Sequence, residues 1–246
     1  MAEPQQSSST SEYTKPPSQK ETREDPAPTL SWIDDRLAKL YRSVREGKQP
    51  PLLNRDEYLD LYTAVHSLMI AILHRRSGKA RKDRDGDVDV DYQDLYSTLV
   101  RQVRAHCRET RAAILAASSA DGADEVTARR LIAECNTRWS AFVQLAGVVA
   151  NVMQYLERHW VIRELDERKG KGDKGGIYLL RELHEVVWRE EVLKVTRGGI
   201  VVEEGGEEEI GRAVRVLRER EGKGDREVVD EFEGSLEVLG VGSSLD

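Results

Sequence analysis

The chain of 246 residues has only two cysteines, Cys107 and Cys135, and neither stands in a CxxC or Cys/His spacing. That excludes a disulfide framework and a sequence-evident zinc site, and it fits a reducing compartment. No apolar run approaches the roughly 18 residues of a membrane span, and the first residues lack the apolar core of a signal peptide. The expectation is a cytoplasmic or nuclear protein without membrane contact. Aliphatic side chains are nearly absent from residues 1–28, which are rich in Ser, Pro, Gln, Glu and Lys. Such a segment buries too little apolar surface to offset the entropy of ordering, so a disordered tail is expected there.

A surplus of positive charge is also missing. The net charge is −7, and the one dense basic patch, Arg75, Arg76, Lys79, Arg81, Lys82 and Arg84, runs straight into Asp83, Asp85, Asp87, Asp89 and Asp91. Neutralising phosphates takes an uninterrupted basic stripe, so nucleic-acid binding is not expected. Strand alternation is confined to a short Ile200-Val201-Val202, and the chain reads as predominantly α.

Catalytic and ligand-binding patterns fail one by one. His184-Glu185 is not followed by a second His at the spacing of a zinc-protease helix. Residues 83–94 imitate a calcium loop, but Val88 stands where the turn needs Gly and Asp94 where a bidentate Glu belongs. Gly170–Gly176 has no Lys-Ser/Thr pair after it and no strand before it, which leaves a linker rather than a phosphate loop. Cys107 has His106 beside it in sequence, about 100° away around a helix and badly placed as a base. The acidic run from Glu203 to Glu209 reads as a solvated loop. No enzyme, metal or cofactor is expected.

What is present is helical spacing. Ser31 and Asp34 suggest a helix start, followed by Ile33, Leu37, Leu40, Tyr41 and Val44 and a stop near Gly47 before Pro50-Pro51. Asn54 and Glu57 form a capping pair for a second helix, with Leu61, Val65, Leu68 and Ile72 on one stripe and Tyr58, Tyr62, His66, Met69 and Leu73 on another. Residues 76–90 form a charged loop. A third helix is predicted over about Tyr92–Ala117 through Leu95, Leu99, Val103 and Cys107, a fourth over Asp124–Phe142 through Val126, Leu131, Ile132, Cys135 and Trp139, and a fifth over Leu145–Leu165.

The fifth helix carries Val149, Met153, Leu156 and Trp160 on one stripe and Val148, Tyr155 and His159 on its neighbour. One stripe suffices for a bundle, so the doubling on the second and fifth helices calls for an additional surface. Taken alone, Tyr58, Tyr62, Tyr155 and His159 would more often be core residues. Trp32, Trp160 and Trp188 are read as core. After a linker at 168–176 the helical spacing resumes through Ile177, Leu180, Leu183, Val187, Trp188 and Val192, with further helices around Ile210–Arg220 and Val228–Leu239. Two successive helical units, the second incomplete, suggest a solenoid.

Tyr58-Leu59-Asp60-Leu61-Tyr62-Thr63-Ala64-Val65, Tyr155-Leu156-Glu157-Arg158-His159-Trp160-Val161, Ile177-Tyr178 and Trp188-Arg189-Glu190, in this order and separation, resemble the amino-terminal region of cullins, the scaffolds of multisubunit ubiquitin ligases. The resemblance runs from about Ser31 to Gly240 and is strongest to the F-box-recruiting, cullin-1-type class. It implies an all-α cullin-repeat solenoid: one five-helix repeat over 29–167 and part of a second over 177–246. It also implies a non-catalytic scaffold arm whose second and fifth helices hold a Skp-type adaptor and its F-box protein. Carried over by position, the contacts are Tyr58, Leu59, Tyr62 and His66 on the second helix and Tyr155, Arg158 and His159 on the fifth. Glu157 stands where F-box-recruiting members often have Asn. A chain ending at Asp246 would lack the region that holds the RING-box subunit, which is therefore not expected to bind. Sequestration of adaptor as a regulator, or binding of an adaptor of another cullin class, is the alternative reading.

Overall fold

The structure, a computed structural model, describes residues 14–49, 51–77, 90–118, 125–169, 176–193, 195–196, 199–200, 213, 216–217 and 223–239. In chain order these form α1 (Gln19–Glu24), α2 (Ala27–Arg45), α3 (Arg55–Ser77), α4 (Tyr92–Ser118), α5 (Glu125–Val152), a single turn α6 (Gln154–Leu156), a π-helical turn (Glu157–Val161), α7 (Ile162–Lys169), α8 (Leu180–Glu191), a two-residue hairpin β1 (Val195–Thr196) and β2 (Gly199–Ile200), and α9 (Lys223–Val238). Apart from that hairpin the described fold is all-α. The expected helices around 210–220 and the loops at 78–89, 119–124 and 170–175 fall wholly or mostly outside the described residues.

Local chemistry accounts for several boundaries. Asn54 and Glu57 cap α3 reciprocally, each side chain accepting the other's backbone N–H at 2.9 Å, as the sequence predicts. Asp91 and Asp94 do the same for α4 at 2.8 and 3.0 Å, so the last two carboxylates of the acidic run serve as a helix cap; the rest of the calcium-loop candidate at 83–89 lies outside the described residues. The stop at the end of α2 is made by Gly47 at φ 86°, with Lys48 N–H donating to the Ser43 carbonyl at 2.9 Å.

Other expectations fail. Helix α2 starts at Ala27 behind Pro26, which leaves Ser31 inside the helix and not at its cap. The tail does not extend to residue 28: Ser18 and Glu21 form a capping box for α1, and Thr22, fully buried, shares a 2.8 Å hydrogen bond with Thr29. Helix α1 packs against α3, and Arg75 donates to the Glu24 carbonyl at 2.8 Å. Polar capping and tertiary contact supply what the composition lacks in apolar surface. The predicted break between the fourth and fifth helices at 143–144 is absent, because no residue there forbids helix; α5 continues to Val152 and the break comes at Met153. Val126, predicted to face inward, is exposed in the first turn of α5.

Helix α4 lies centrally, packed against α2, α5 and α8. Its inward stripe, Leu95, Leu99, Val103 and Cys107, is wholly buried. On the α8 side Arg108 makes two 3.0 Å hydrogen bonds to Glu191, and Arg111 donates to the Val192 carbonyl at 2.7 Å. Trp160 and Trp188 are buried as expected, but Trp32 is only half-buried, its indole N–H donating to the Thr14 carbonyl at 3.0 Å.

At the centre Phe142 of α5 meets His106 of α4 and His184 and Trp188 of α8, with ring centroids 5.0 to 5.4 Å apart. His184 Nδ1 lies 2.6 Å from the Leu180 carbonyl and its Nε2 2.6 Å from the Tyr41 hydroxyl. A carbonyl can only accept, so Nδ1 carries the proton and Tyr41 donates to Nε2. The ring is a neutral cross-link between α2 and α8, not a metal ligand. Burial pulls its pKa down to about 4, and burial together with the Arg45 charge pulls His106 down to about 3.

Because both rings stay neutral in the fold and titrate near 6.5 when unfolded, the unfolded chain binds more protons between those values. Stability from this pair should be complete above pH 6.5 and lost as pH falls towards 4, by about 2 kcal/mol per ring at pH 5. Urea midpoints at pH 7 and pH 5 measure it, and equal midpoints would contradict it.

Candidate functional site

Helices α3 and α6 lie against each other. The tyrosine-bearing faces of the two helices meet through His66 and Tyr155, whose rings sit edge-to-face with centroids 4.7 Å apart. From Tyr155 the contact continues to His159 at 4.2 Å, and along α3 Tyr58 and Tyr62 stack at 6.4 Å with planes 7° apart. Tyr58, Tyr62, His66 and Tyr155 are half-buried, Leu59 is 46% exposed, and Arg158 and His159 are exposed. The seven residues named from the sequence thus lie on α3, α6 and the π turn that follows α6, and none is sealed in the core. Met69, assigned from spacing to the same stripe, is buried, while Leu73 at the far end of α3 is exposed.

The position of the strip follows from what each helix buries. On α3, Leu61, Val65, Leu68 and Ile72 fill the core and turn the neighbouring stripe outward. On the fifth helical segment Val149, Met153, Leu156 and Trp160 are buried, as their spacing predicts. The chain is π-helical over Glu157–Val161, where Trp160 and Val161 are buried and Arg158 and His159 stay exposed.

Sequence reasoning missed the role of Glu157. Its carboxylate does not face the aromatic strip; Oε2 accepts the Leu180 N–H at 2.7 Å, at the first residue of α8. A carboxylate suits that position because it satisfies an orphan amide and meets the positive end of the helix. Tyr96 holds the same junction, its hydroxyl accepting the Tyr178 N–H at 2.9 Å. Glu157→Ala should cost about 1 kcal/mol by freeing the start of α8. Faster amide exchange at Leu180 with an unchanged rate at Val65 would be its signature.

Neither cysteine is poised as a nucleophile. Cys107 is buried and its thiol is pushed well above the ordinary range by that burial, with the Glu191 charge adding to it; Cys135 is pushed up to about 12. Neither has thiolate character near neutral pH. Among the described residues no group of three or more His, Cys, Asp or Glu could hold a metal ion, and no helix is long and apolar enough to cross a membrane.

An outward aromatic strip on a helical solenoid coincides with a family match over most of the chain: the cullin alpha solenoid domain matches residues 38–243. The chain belongs to the cullin family. Cullin-1 of Caenorhabditis elegans is 27% identical to this cullin over 166 residues, covering 64% of the chain and 19% of that protein. The chain therefore spans about a fifth of the length of the curated relative it matches. No solved structure matches it significantly.

Proposed function

We propose that this chain is the adaptor-binding arm of a cullin-type ubiquitin ligase, holding a Skp-type adaptor and its F-box protein on the strip formed by Tyr58, Leu59, Tyr62, His66, Tyr155, Arg158 and His159. The observation that carries the reading is the ring contact between His66 and Tyr155, which joins the two tyrosine-bearing elements into one outward surface. Half-buried tyrosines set among exposed Leu59, Arg158 and His159 have the make-up of an interface centre with a charged rim. Family membership supports a scaffold rather than a catalyst. The arm contributes position: a stiff stack of helices fixes the distance between a bound substrate and the ubiquitin donor, so that transfer becomes effectively intramolecular.

Isothermal titration with a purified Skp-type adaptor bound to its F-box protein tests the reading. Saturable one-to-one binding is expected. Binding only by adaptors of other cullin classes would overturn the assignment to the F-box class and leave the surface itself in place; no binding by any of them would overturn both.

A further inference from the structure

A cavity of about 290 Å³ opens between α2, the turn that follows it and the start of α3. Its floor is apolar: Leu40, Leu52 and Leu61 are buried, and Leu53 and Trp32 are partly buried. Its rim is charged and one-sided, with Arg36, Lys39 and Lys48 against the single carboxylate of Glu57. That carboxylate is engaged in capping α3. Arg36 lies 5.1 Å over the Trp32 ring and donates to the Thr14 carbonyl at 2.6 Å, while Lys48 donates to the Leu52 carbonyl at 2.7 Å. A basic rim over leucines stands out on a chain whose net charge is −7.

We propose that this pocket receives one large apolar side chain from an acidic peptide segment of a partner protein, whose flanking carboxylates are met by Arg36 and Lys39 on one side and Lys48 on the other. The volume is at the small end for ligand cavities and suits a single anchor residue. The cations stand on two separate elements, α2 and the following turn, so they match acids on both flanks of an anchor better than the single carboxylate of a fatty acid. Desolvated apolar contact supplies affinity, and the complementary charges supply orientation and on-rate. The pocket shares no residue with the aromatic strip: Leu61 and Tyr62 are adjacent in sequence but about 100° apart around α3.

Fluorescence anisotropy with a fluorescein-labelled acidic peptide, one phenylalanine flanked by glutamates on both sides, tests the proposal on the full chain. Saturable binding is expected, weakened about tenfold or more by Lys39→Glu, by glutamine flanks, or by alanine in place of the phenylalanine. Lys39 is exposed, so the variant should fold, and Lys39→Gln should fall between it and the parent. The variant altered at Tyr62 and Tyr155 should bind the peptide as the parent does, which separates this site from the adaptor surface. No peptide binding, equal binding to Lys39→Glu, or a loss caused by the Tyr62 and Tyr155 changes would overturn the proposal. So would laurate binding in the absence of peptide binding.

Discussion

Tyr62→Ala combined with Tyr155→Ala is expected to weaken adaptor binding about a thousandfold while the far-ultraviolet circular dichroism keeps its helical form. Buried aromatic anchors at interface centres are worth about 2 kcal/mol each, and two of them acting independently give that factor. The two changes act unequally on the fold. Tyr155 packs against the core and touches His66 and His159, so Tyr155→Ala alone should lower the melting temperature by a few degrees. Tyr62 contacts Tyr58 on its own helix, and its loss should leave the melting temperature nearly unchanged. A double variant that loses its helical signal would show that these rings serve the core first. Retention of full affinity by a folded double variant would remove the docking surface from the account.

The largest effect on stability should come from Phe142→Ala. The ring is fully buried and in contact with His106, Trp139, His184 and Trp188, so that its removal opens a cavity among α4, α5 and α8 at once. Truncations of this kind cost about 3–5 kcal/mol, which in a chain of this size lowers the melting temperature by about 10 °C. Because the cavity would border His184, the Tyr41 hydroxyl also risks losing its partner, and an unpaired buried hydroxyl adds about 1–3 kcal/mol. Thermal melts of the parent and variant measure the sum. A drop under about 2 °C would mean that the ring cluster is not the joint between α8 and the preceding helices.

How far the sequence could be read differs from element to element. The inward stripes of α3, α4 and α8 follow from spacing alone, since a helix that buries one face must repeat apolar residues every three or four positions. The cap at Asn54 and the stop at Gly47 are equally local. The doubled stripes on α3 and on the segment around Tyr155 led to the same surface as the family resemblance, and of those side chains the structure pairs Tyr58 with Tyr62, His66 with Tyr155 and Tyr155 with His159. What escaped depends on residues far apart in the chain. Helix α1 is held by Thr29 and by Arg75, and no property of residues 14–25 alone announces that support. Glu157 looked like a departure in a docking helix because its partner, the Leu180 amide, lies 23 residues further on. His184 looked like half of a zinc motif because Tyr41, 143 residues earlier, is invisible to a local reading. The move of the helix break to Met153 reflects packing in another way: α5 must present Leu145, Val149 and Val152 to the core before the chain can turn.

Hydrogen–deuterium exchange of the chain with and without a Skp-type adaptor bound to its F-box protein bears most directly on the claim that the aromatic strip is the docking surface. Slowed exchange is expected at residues 58–66 of α3 and 154–161 around the π turn alone, with α4 and α9 unchanged. Protection centred on α4 or α9, or saturated binding that leaves both predicted segments exchanging at their free rates, would contradict it.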